Sequence, residues 1–449
     1  MTDARPRTWR RYAFSLKVWL TFLDAVGGTW DEAVVEDVDA FKDWRLTDVR
    51  NLDRIAPTSF DADRAALSTF YAWASHRYGV FNPMPTVGRV SGQRHRRDPL
   101  RPASANRRQV KWMLRPAFEQ WRDVGLRGYG FDGLRSSSWR GLNEDRDTAF
   151  VDGLYGTGLR LAEWASVLDV EVPAGGTGRF PRAWLARECV KGAKEGRGYF
   201  VPSAVLKAVA AYVDPLEGSR AEAVARGRRS GRYEAVAGKR IVTGFNRRSR
   251  ALSILSESGS QPVSVDAIGP EERRLLFRRG PGGLEPLALW LSVDGMPMHA
   301  GSWEDTFGAA NARVQEAWTQ AGGDGEALLW ARPHMCRHSF ALKWFSVLSV
   351  VWEPQLEGFT AEEQKDLRDQ FGDIWFQLAT LLGHADPATT RDYYLEPFTR
   401  LQVDYLMSLL DGEEQTAVNA LISRVGAGGG RTLGPLTWPG VLDEAVGAW

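Results

Sequence analysis

The sequence predicts a mainly helical chain of two parts: an α-helical N-terminal domain, residues 1–86, and a mixed α+β domain, residues 104–425. Three observations lead to this prediction. Apolar residues recur at helical spacing through the first part. Strand-like segments are confined to one stretch of the second part, which indicates a small antiparallel sheet inside a mainly helical domain. A basic segment containing prolines, residues 87–103, separates the two parts, and residues 426–449 form a tail.

Three helices are predicted in the N-terminal domain. Apolar side chains at helical spacing mark the first from Trp9 to Leu23, and Gly27–Gly28 ends it. A shorter helix is predicted at Val38–Leu46, and a third begins near Thr58. Short turns between such helices are typical of a bundle. The pattern alone indicates a packed helical module and assigns it no function.

In the second domain, sequence periodicity predicts helices first, then a few strands, then helices again. The predicted segments are helices at Asn106–Trp121 and Asp145–Tyr155, a strand at Val167–Val172, a hairpin of Trp184–Val190 with Tyr199–Val201 around Gly192–Gly198, and short apolar runs at Leu287–Leu291 and Met296–Met298.

Composition excludes several classes of protein. The 449 residues carry a net charge of +1, so any basic surface must be local. A hydrophobic fraction of 43% and a charged fraction of 25% are ordinary for a soluble globular protein. Cys189 and Cys336 are too few for a disulfide framework and suit a reducing cytoplasm. No apolar run approaches the roughly 20 residues of a membrane span. We therefore expect a cytoplasmic protein.

Four short motifs carry the chemical signal. They are Gly156–Arg160, Pro333–His338, Leu381–His384 and Thr389–Tyr394. Arginine pairs two phosphate oxygens with its planar fork and keeps its charge at any working pH. Tyrosine can attack phosphorus and hold a cut strand covalently. Arginines, histidines and a tyrosine in this order therefore predict a site that handles a phosphodiester.

The motifs resemble those of the tyrosine recombinases, the family of phage integrases and of Xer-type and Cre-type enzymes. The family has an arginine after a Thr-Gly-Leu turn, a hairpin lysine, a His-x-x-Arg box, and a Leu-Gly-His sequence before the nucleophilic tyrosine. The residues of this chain that match are Arg160, with Leu161 and Glu163 after it, then His334, Arg337, His384 and Tyr393. The resemblance implies the family's fold, with a core-binding domain before the catalytic domain.

The resemblance implies a role for each matched residue. Arg160 and Arg337 would stabilise charge on the phosphate in the transition state. His334 would assist proton transfer or orient the phosphate, and His384 would donate a hydrogen bond to it. The lysine of the hairpin would protonate the leaving 5′ oxygen. That lysine is Lys191, with Lys194 as the alternative, and Tyr394 is the alternative to Tyr393 as nucleophile.

The expected partner is double-stranded DNA, clamped by the N-terminal domain. The basic segment 87–103 and the residues just after it either cross a phosphate backbone or form a solvated connector; the candidate DNA-binding residues are Arg94, Arg96, Arg97, Arg107 and Arg108. Relatives act as a homotetramer on two paired sites, with the C-terminal tail docked on a neighbouring chain. The alternative for this chain is that the tail packs on its own domain. An accessory directionality factor is a further candidate partner. No cofactor or metal is required.

Two stretches look like insertions relative to compact members of the family. Residues 226–283 are rich in arginine, glycine and serine, and are either a second DNA contact or a partly disordered surface excursion. Residues 349–372 are acidic and polar, as expected of a surface excursion.

The expected activity is site-specific DNA recombination through a covalent 3′-phosphotyrosyl intermediate, serving integration, excision or resolution, in a mobile element for example. One alternative is a type IB topoisomerase, which uses a similar set of residues to relax supercoils. The other is a catalytically silent DNA-binding protein, against which the complete set of motif residues argues.

Overall fold

The computed structural model describes residues 6–84, 100, 111–173, 180–190, 195–325, 329–355, 360, 362–363, 373–384, 387–388 and 390–391. The chain divides into two compact units, residues 1–109 and 110–449. Helices dominate the described ranges and strands form two small sheets, so the predicted mainly helical α+β character is confirmed. None of the described helices is long and apolar enough to cross a lipid bilayer.

The smaller unit has the three predicted helices, α1 (Pro6–Ala25), α2 (Val35–Leu46) and α3 (Pro57–Tyr78). Their apolar faces meet in a core rich in aromatic rings. Trp19 Nε1 donates to the Tyr71 hydroxyl at 3.0 Å, and that hydroxyl donates to the carbonyl of Trp30 at 2.9 Å. The polar atoms of these two buried rings, Trp19 and Tyr71, therefore have hydrogen-bond partners.

A buried carboxylate joins the three helices. Asp63 of α3 is 0% exposed and accepts hydrogen bonds from Ser15 at 2.6 Å and Arg11 at 3.0 Å, both on α1. Arg45 of α2 donates to its other oxygen at 3.1 Å. The ion pairs compensate for the cost of removing the charge from water, so loss of the carboxylate would leave buried guanidinium charge without compensation.

The larger unit holds the remaining described elements. Its helices are α4 (Arg115–Arg127), α5 (Glu144–Thr157), α6 (Leu161–Ala165), α7 (Ser203–Val213), α8 (Ser219–Arg229), α9 (Arg232–Ala235), α10 (Pro270–Arg273), α11 (Ser302–Gln320), α12 (Pro333–Gln355) and α13 (Ile374–Leu382). Its strands are β1 (Arg182–Leu185), β2 (Arg197–Phe200), β3 (Arg240–Asn246), β4 (Ala251–Ser256), β5 (Gly259–Ser264), β6 (Leu276–Gly280) and β7 (Gly283–Pro286).

Helix α5 lies at the centre of this unit and contacts α4, α7 and α12. Phe150 of α5 stacks on Trp303 with ring centroids 3.4 Å apart, and Trp290 meets both rings edge-on. The indole of Trp164 on α6 donates to the carbonyl of Phe150 at 3.0 Å. These contacts fix the turn between α5 and α6, which carries Arg160.

The predicted hairpin is present with altered limits. Strands β1 and β2 pair antiparallel, with Trp184 opposite Gly198 and Leu185 opposite Arg197. A 3₁₀ turn at Arg187–Cys189 replaces the predicted end of the first strand. Residues 191–194, which include both candidate lysines, lie outside the described residues.

The expectation of helices beyond the hairpin is wrong for one long stretch. Strands β3 to β7 form a second sheet in the order β5-β4-β3-β6-β7, in which β3 and β6 run parallel and the other pairs are antiparallel. Regular strands rule out the disordered interpretation of the residues that form them within 226–283. The sequence did not reveal them because they lack a clear apolar alternation: five of the six residues of β5, for example, are exposed.

Two other elements differ from prediction. Val167–Val172 is no strand, because Glu171 accepts from the Leu168 amide at 3.0 Å and closes a 3₁₀ turn at Asp169–Glu171. Of the helix predicted at Asn106–Trp121, residues 106–110 lie outside the described residues and residues 111–114 are not helical. The described helix begins at Arg115, with Pro in its first turn. The apolar runs near 287–298 contribute isolated bridges, Leu168 with Ala288 and Leu291 with Pro297.

Replacing Asp63 by alanine should destabilise the smaller unit by about 3 kcal/mol, because Arg45 then stays buried without its carboxylate. Amide hydrogen exchange of α3 in the full chain measures this, and protection should fall by about two orders of magnitude. Asp48→Ala is the matched control, since it removes an exposed ion pair with Arg50 and should leave protection of α3 unchanged. Equal protection in Asp63→Ala and the unaltered chain would contradict the role of Asp63.

Candidate active site

The first motif forms the turn between α5 and α6. Gly158 follows α5 with φ of +65°, and a Cβ at this position would overlap the ring of Phe340 on α12. Glycine is therefore required twice, for the left-handed backbone and for the close approach of α12. Arg160 then adopts an extended backbone at the start of α6, and 30% of its side chain is exposed.

Glu163 organises the charges of the site. Its carboxylate accepts from Arg160 Nη1 at 2.8 Å, from the Arg160 amide at 2.9 Å and from Arg197 Nη2 at 3.3 Å. The side chain is 1% exposed. Burial alone would raise the pKa of Glu163, but Arg197, Arg160 and Arg337 outweigh it and lower the pKa. Glu163 therefore stays ionised and holds cations from separate segments together.

Arg337 lies where three segments of the chain meet. Extending from α12, it donates to the carbonyl of Gly158 at 2.6 Å and to the carbonyl of Leu382, at the end of α13, at 2.7 Å. It also lies 3.0 Å from His384 Nε2. At 1% exposure, Arg337 is covered by these groups. An arriving phosphate would have to replace some of them.

His384 follows the glycine that ends α13. Because guanidinium only donates, Nε2 must accept from Arg337, and Nδ1 therefore carries the proton and donates to Thr390 Oγ1 at 2.8 Å. Burial first, and then Arg337, Arg160 and Arg197, lower the pKa of His384 to about 4. The ring is thus neutral at pH 7 and accepts from Arg337, rather than donating to a ligand, in the arrangement seen here.

Arg197 is the residue that sequence motifs missed. It extends from β2, is mostly buried, and lies against Gly383, where any Cβ would overlap it. Its Nε and Nη1 atoms are buried without a hydrogen-bond partner among the described residues. Burial lowers its pKa, Glu163 opposes that effect, and Arg160 adds to it. A buried guanidinium with two unused donors is a poorly satisfied group that an anion would complete.

The three guanidiniums and one carboxylate leave an excess of two positive charges. Arg160, Arg197 and Arg337 all act electrostatically on Glu163 and on His384, which places the five groups in one cluster. They come from the α5–α6 turn, α6, β2, α12 and the end of α13. Sequence reasoning found Arg160, Arg337 and His384. Only packing against Glu163 and Gly383 could reveal Arg197.

His334 lies on α12 one turn before Arg337 and is exposed. Its ring meets that of buried His338 edge-on, with centroids 4.4 Å apart. Burial first, and then His334 and Arg337, lower the pKa of His338 to about 3. A neutral, buried His338 suits a packing role, whereas His334 remains accessible to a ligand.

The remaining predicted residues lie outside the described part of the chain. These are Lys191 and its alternative Lys194, Tyr393 and its alternative Tyr394, and Arg94, Arg96, Arg97, Arg107 and Arg108. The described residues include no group of three or more His, Cys, Asp and Glu side chains that could hold a metal ion.

No family model matches the chain, and no curated protein is significantly similar to it. Among solved structures, it is similar to the XerH site-specific recombinase bound to palindromic difH substrate, a post-cleavage complex. That comparison has 11% identity and a TM-score of 0.46 and covers 88% of this chain and 78% of the other.

Two further solved structures are also similar. The Tn1549 transposon integrase in complex with circular intermediate DNA has 12% identity and a TM-score of 0.42, covering 87% of this chain and 90% of that one. XerA recombinase has 13% identity and a TM-score of 0.29, covering 94% and 92%. Likenesses this distant carry no argument about chemistry, which therefore rests on the side chains of the chain itself.

The depressed pKa values of His338 and His384 predict how stability varies with pH. Between pH 6.5 and about 4 the unfolded chain binds protons at these two positions that the folded chain does not, so stability falls as pH falls. Urea unfolding followed by circular dichroism should show a shallower pH dependence in His384→Asn. Substitution of His76, which is exposed on α3, is the control. A dependence of stability on pH that is the same in His384→Asn as in the unaltered chain would contradict the prediction.

Proposed function

We propose that this chain is a tyrosine-type site-specific DNA recombinase, which cuts and rejoins double-stranded DNA through a covalent 3′-phosphotyrosyl intermediate. The observation that carries the proposal is the cluster of Arg160, Arg197 and Arg337 around Glu163, with His384 at its edge. Its excess positive charge suits a phosphodiester. The motif order along the chain supplies the rest, because it matches the recombinase family and ends in Tyr393.

The scissile phosphate would enter this cluster as the missing anion. Arg160 is the most accessible of the three guanidiniums, with 30% of its side chain exposed, and would make the first contact. Arg337 would then exchange part of its hydrogen bonding to Leu382 and His384 for phosphate oxygens. Preorganised donors of this kind stabilise the charge that develops on the non-bridging oxygens.

His384 would change its hydrogen-bonding role when the phosphate binds. In the DNA-free chain its Nε2 accepts from Arg337, and Thr390 fixes the ring through Nδ1. Negative charge near the ring favours the protonated form, because it offsets the three arginines that lower the pKa. A protonated Nε2 could then donate to the phosphate, as the family resemblance implies.

The reaction itself would be a transesterification. The hydroxyl of Tyr393 forms a bond to phosphorus and gives up its proton with assistance from His334. The bond from phosphorus to the 5′ oxygen breaks, and Lys191 supplies the proton to that oxygen. Attack of a 5′ hydroxyl on the phosphotyrosine reverses these steps, so the strand is resealed without a cofactor.

The wider organisation follows the same proposal. The smaller helical unit would clamp the duplex as a core-binding domain, and the arginines of segment 87–103 and those just after it would contact the backbone. Four chains would act together on two paired DNA sites, with the C-terminal tail of each chain docked on a neighbouring chain. An accessory directionality factor would be a further partner. Integration, excision or resolution for a mobile element would be the biological task in the cytoplasm.

A nicked suicide substrate built from the DNA that flanks the gene tests the chemistry. Cleavage releases a short strand that cannot return, so the covalent adduct accumulates and is visible on a denaturing gel. We expect the adduct with the unaltered chain and with Tyr394→Phe, and none with Tyr393→Phe, because only the phenolic oxygen of Tyr393 forms the bond.

Each other outcome has a defined meaning. An adduct lost only in Tyr394→Phe would keep the function and move the nucleophile by one residue. Tight DNA binding without an adduct from the unaltered chain would sink the recombinase proposal and favour a silent DNA-binding protein. Relaxation of supercoils without strand exchange between two labelled sites would indicate a topoisomerase.

Arg197→Gln should slow adduct formation by about 10²-fold, the effect of removing one preorganised donor from a transition state. The fold should survive, since Glu163 keeps Arg160 as its partner. Arg182→Gln on the paired strand β1 is the matched control, because Arg182 is exposed and lies opposite Phe200. Equal rates for Arg197→Gln and Arg182→Gln would contradict a role for Arg197 in the reaction.

A further inference from the structure

The five-stranded sheet carries an exposed turn of arginines between β3 and β4. Arg247 and Arg248 lie at its tip, both exposed, and neither has an ion pair among the described residues. The side chain of Asn246 accepts from the backbone amides of Arg248 at 3.0 Å and Ser249 at 3.1 Å. Arg250 closes the turn with φ of +51°, which few residues other than glycine adopt. The turn therefore has a defined shape.

This turn lies beside the hairpin of the candidate active site. The guanidinium of Arg250 stacks on the ring of Trp184 in β1, 3.9 Å from its centroid. Asp266, just after β5, accepts from Trp184 Nε1 at 2.9 Å and from the Arg187 amide at 3.0 Å. Leu185, the residue after Trp184, pairs with Arg197 of the arginine cluster. One unbroken set of contacts thus links the turn to the cluster.

The hairpin sequence itself is adapted to this contact. A Cβ at Gly196 would lie 2.8 Å from Asp266 Oδ1, the Trp184 ring and the Leu185 carbonyl. A side chain at this position would therefore separate the sheet from the hairpin. The close contact with the sheet therefore explains why glycine stands at position 196.

A buried arginine fixes the sheet to the body of the unit. Arg273 of α10 donates to Glu171 at 2.6 and 3.0 Å, to the Ser166 carbonyl at 3.2 Å and to the Val265 carbonyl at 3.1 Å. Ser166 follows α6 directly. The turn is therefore held in a fixed position relative to the arginine cluster, which reduces the entropy lost when a ligand binds it.

We infer that the β3–β4 turn is a second contact with the DNA backbone, in which Arg247 and Arg248 bind phosphates beside the site of cleavage. The inference rests on the proposed function. Arg247 and Arg250 are separated by a chain span of at most about 10 Å, which is about a third of the ~34 Å turn of B-DNA. A duplex lying over the hairpin would therefore extend past the side chains of both Arg247 and Arg250. Paired arginines without acidic partners suit phosphates and carry no sequence preference.

The test measures the salt dependence of DNA binding by Arg247→Ser/Arg248→Ser in the full chain. Fluorescence anisotropy with a duplex of unrelated sequence is suitable, because phosphate contacts are sequence-independent. Loss of two contacts should reduce the slope of log affinity against log salt by about 1.8. Binding should consequently be weaker than that of the unaltered chain, and the difference should shrink as salt rises. Arg247→Glu/Arg248→Glu, which changes the charge by twice as much, should weaken binding further through repulsion.

Arg229→Ser/Arg232→Ser is the matched control. It removes the same charge from α8 and α9, which contact β7 at the other edge of the sheet. An unchanged slope in the turn variant, or an equal loss in turn variant and control, would overturn the inference and leave the recombinase proposal intact. Failure of the unaltered chain to bind duplex DNA would overturn both. An adduct with the nicked substrate reports on the recombinase proposal alone.

Discussion

The charge of Glu163 is the constraint on which the site depends. Three guanidiniums within one cluster repel one another, and among the described residues Glu163 is the carboxylate that bonds to two of them, Arg160 and Arg197, and offsets the repulsion. A second carboxylate would halve the excess positive charge of the cluster and weaken its attraction for an anion. With no carboxylate, the repulsion between the arginines would have no opposing charge in the cluster. A single acid keeps the cluster assembled and still leaves positive charge for a ligand.

Two glycines allow the helices to meet around this charge. Gly158 lets the ring of Phe340 lie against the end of α5, and Gly383 lets Arg197 pass the end of α13. Both glycines have positive φ and end their helices. The carbonyl groups at the C-terminal ends of these two helices lack partners within the helix. Arg337 binds the carbonyls of Gly158 and Leu382 at those two ends. The same two glycines therefore end the helices, allow the close contacts and leave the carbonyl groups that hold Arg337.

The sequence predicted the site further than the fold around it. Arg160, Arg337 and His384 stand in short motifs that can be recognised without knowledge of packing, and helices such as α1 follow from apolar residues at helical spacing. Arg197 could not be recognised, because its role depends on contacts with residues distant in sequence. The inserted sheet was missed because strands such as β5 are polar and exposed. Propensity decides little where tertiary contacts supply the stabilisation.

The site is closed around Arg337 in this structure, although the cluster is already assembled. Arg337 has two carbonyls and a histidine as hydrogen-bond partners, which offset part of the cost of burying its charge. His384 is neutral and bound to Arg337, and it cannot donate to a ligand until that pair rearranges. Arg197, in contrast, keeps buried donors unused. Arg160 and Arg197 can therefore receive an anion before Arg337 and His384 reorganise around it. In the proposed reaction, full stabilisation of the transition state would depend on that rearrangement.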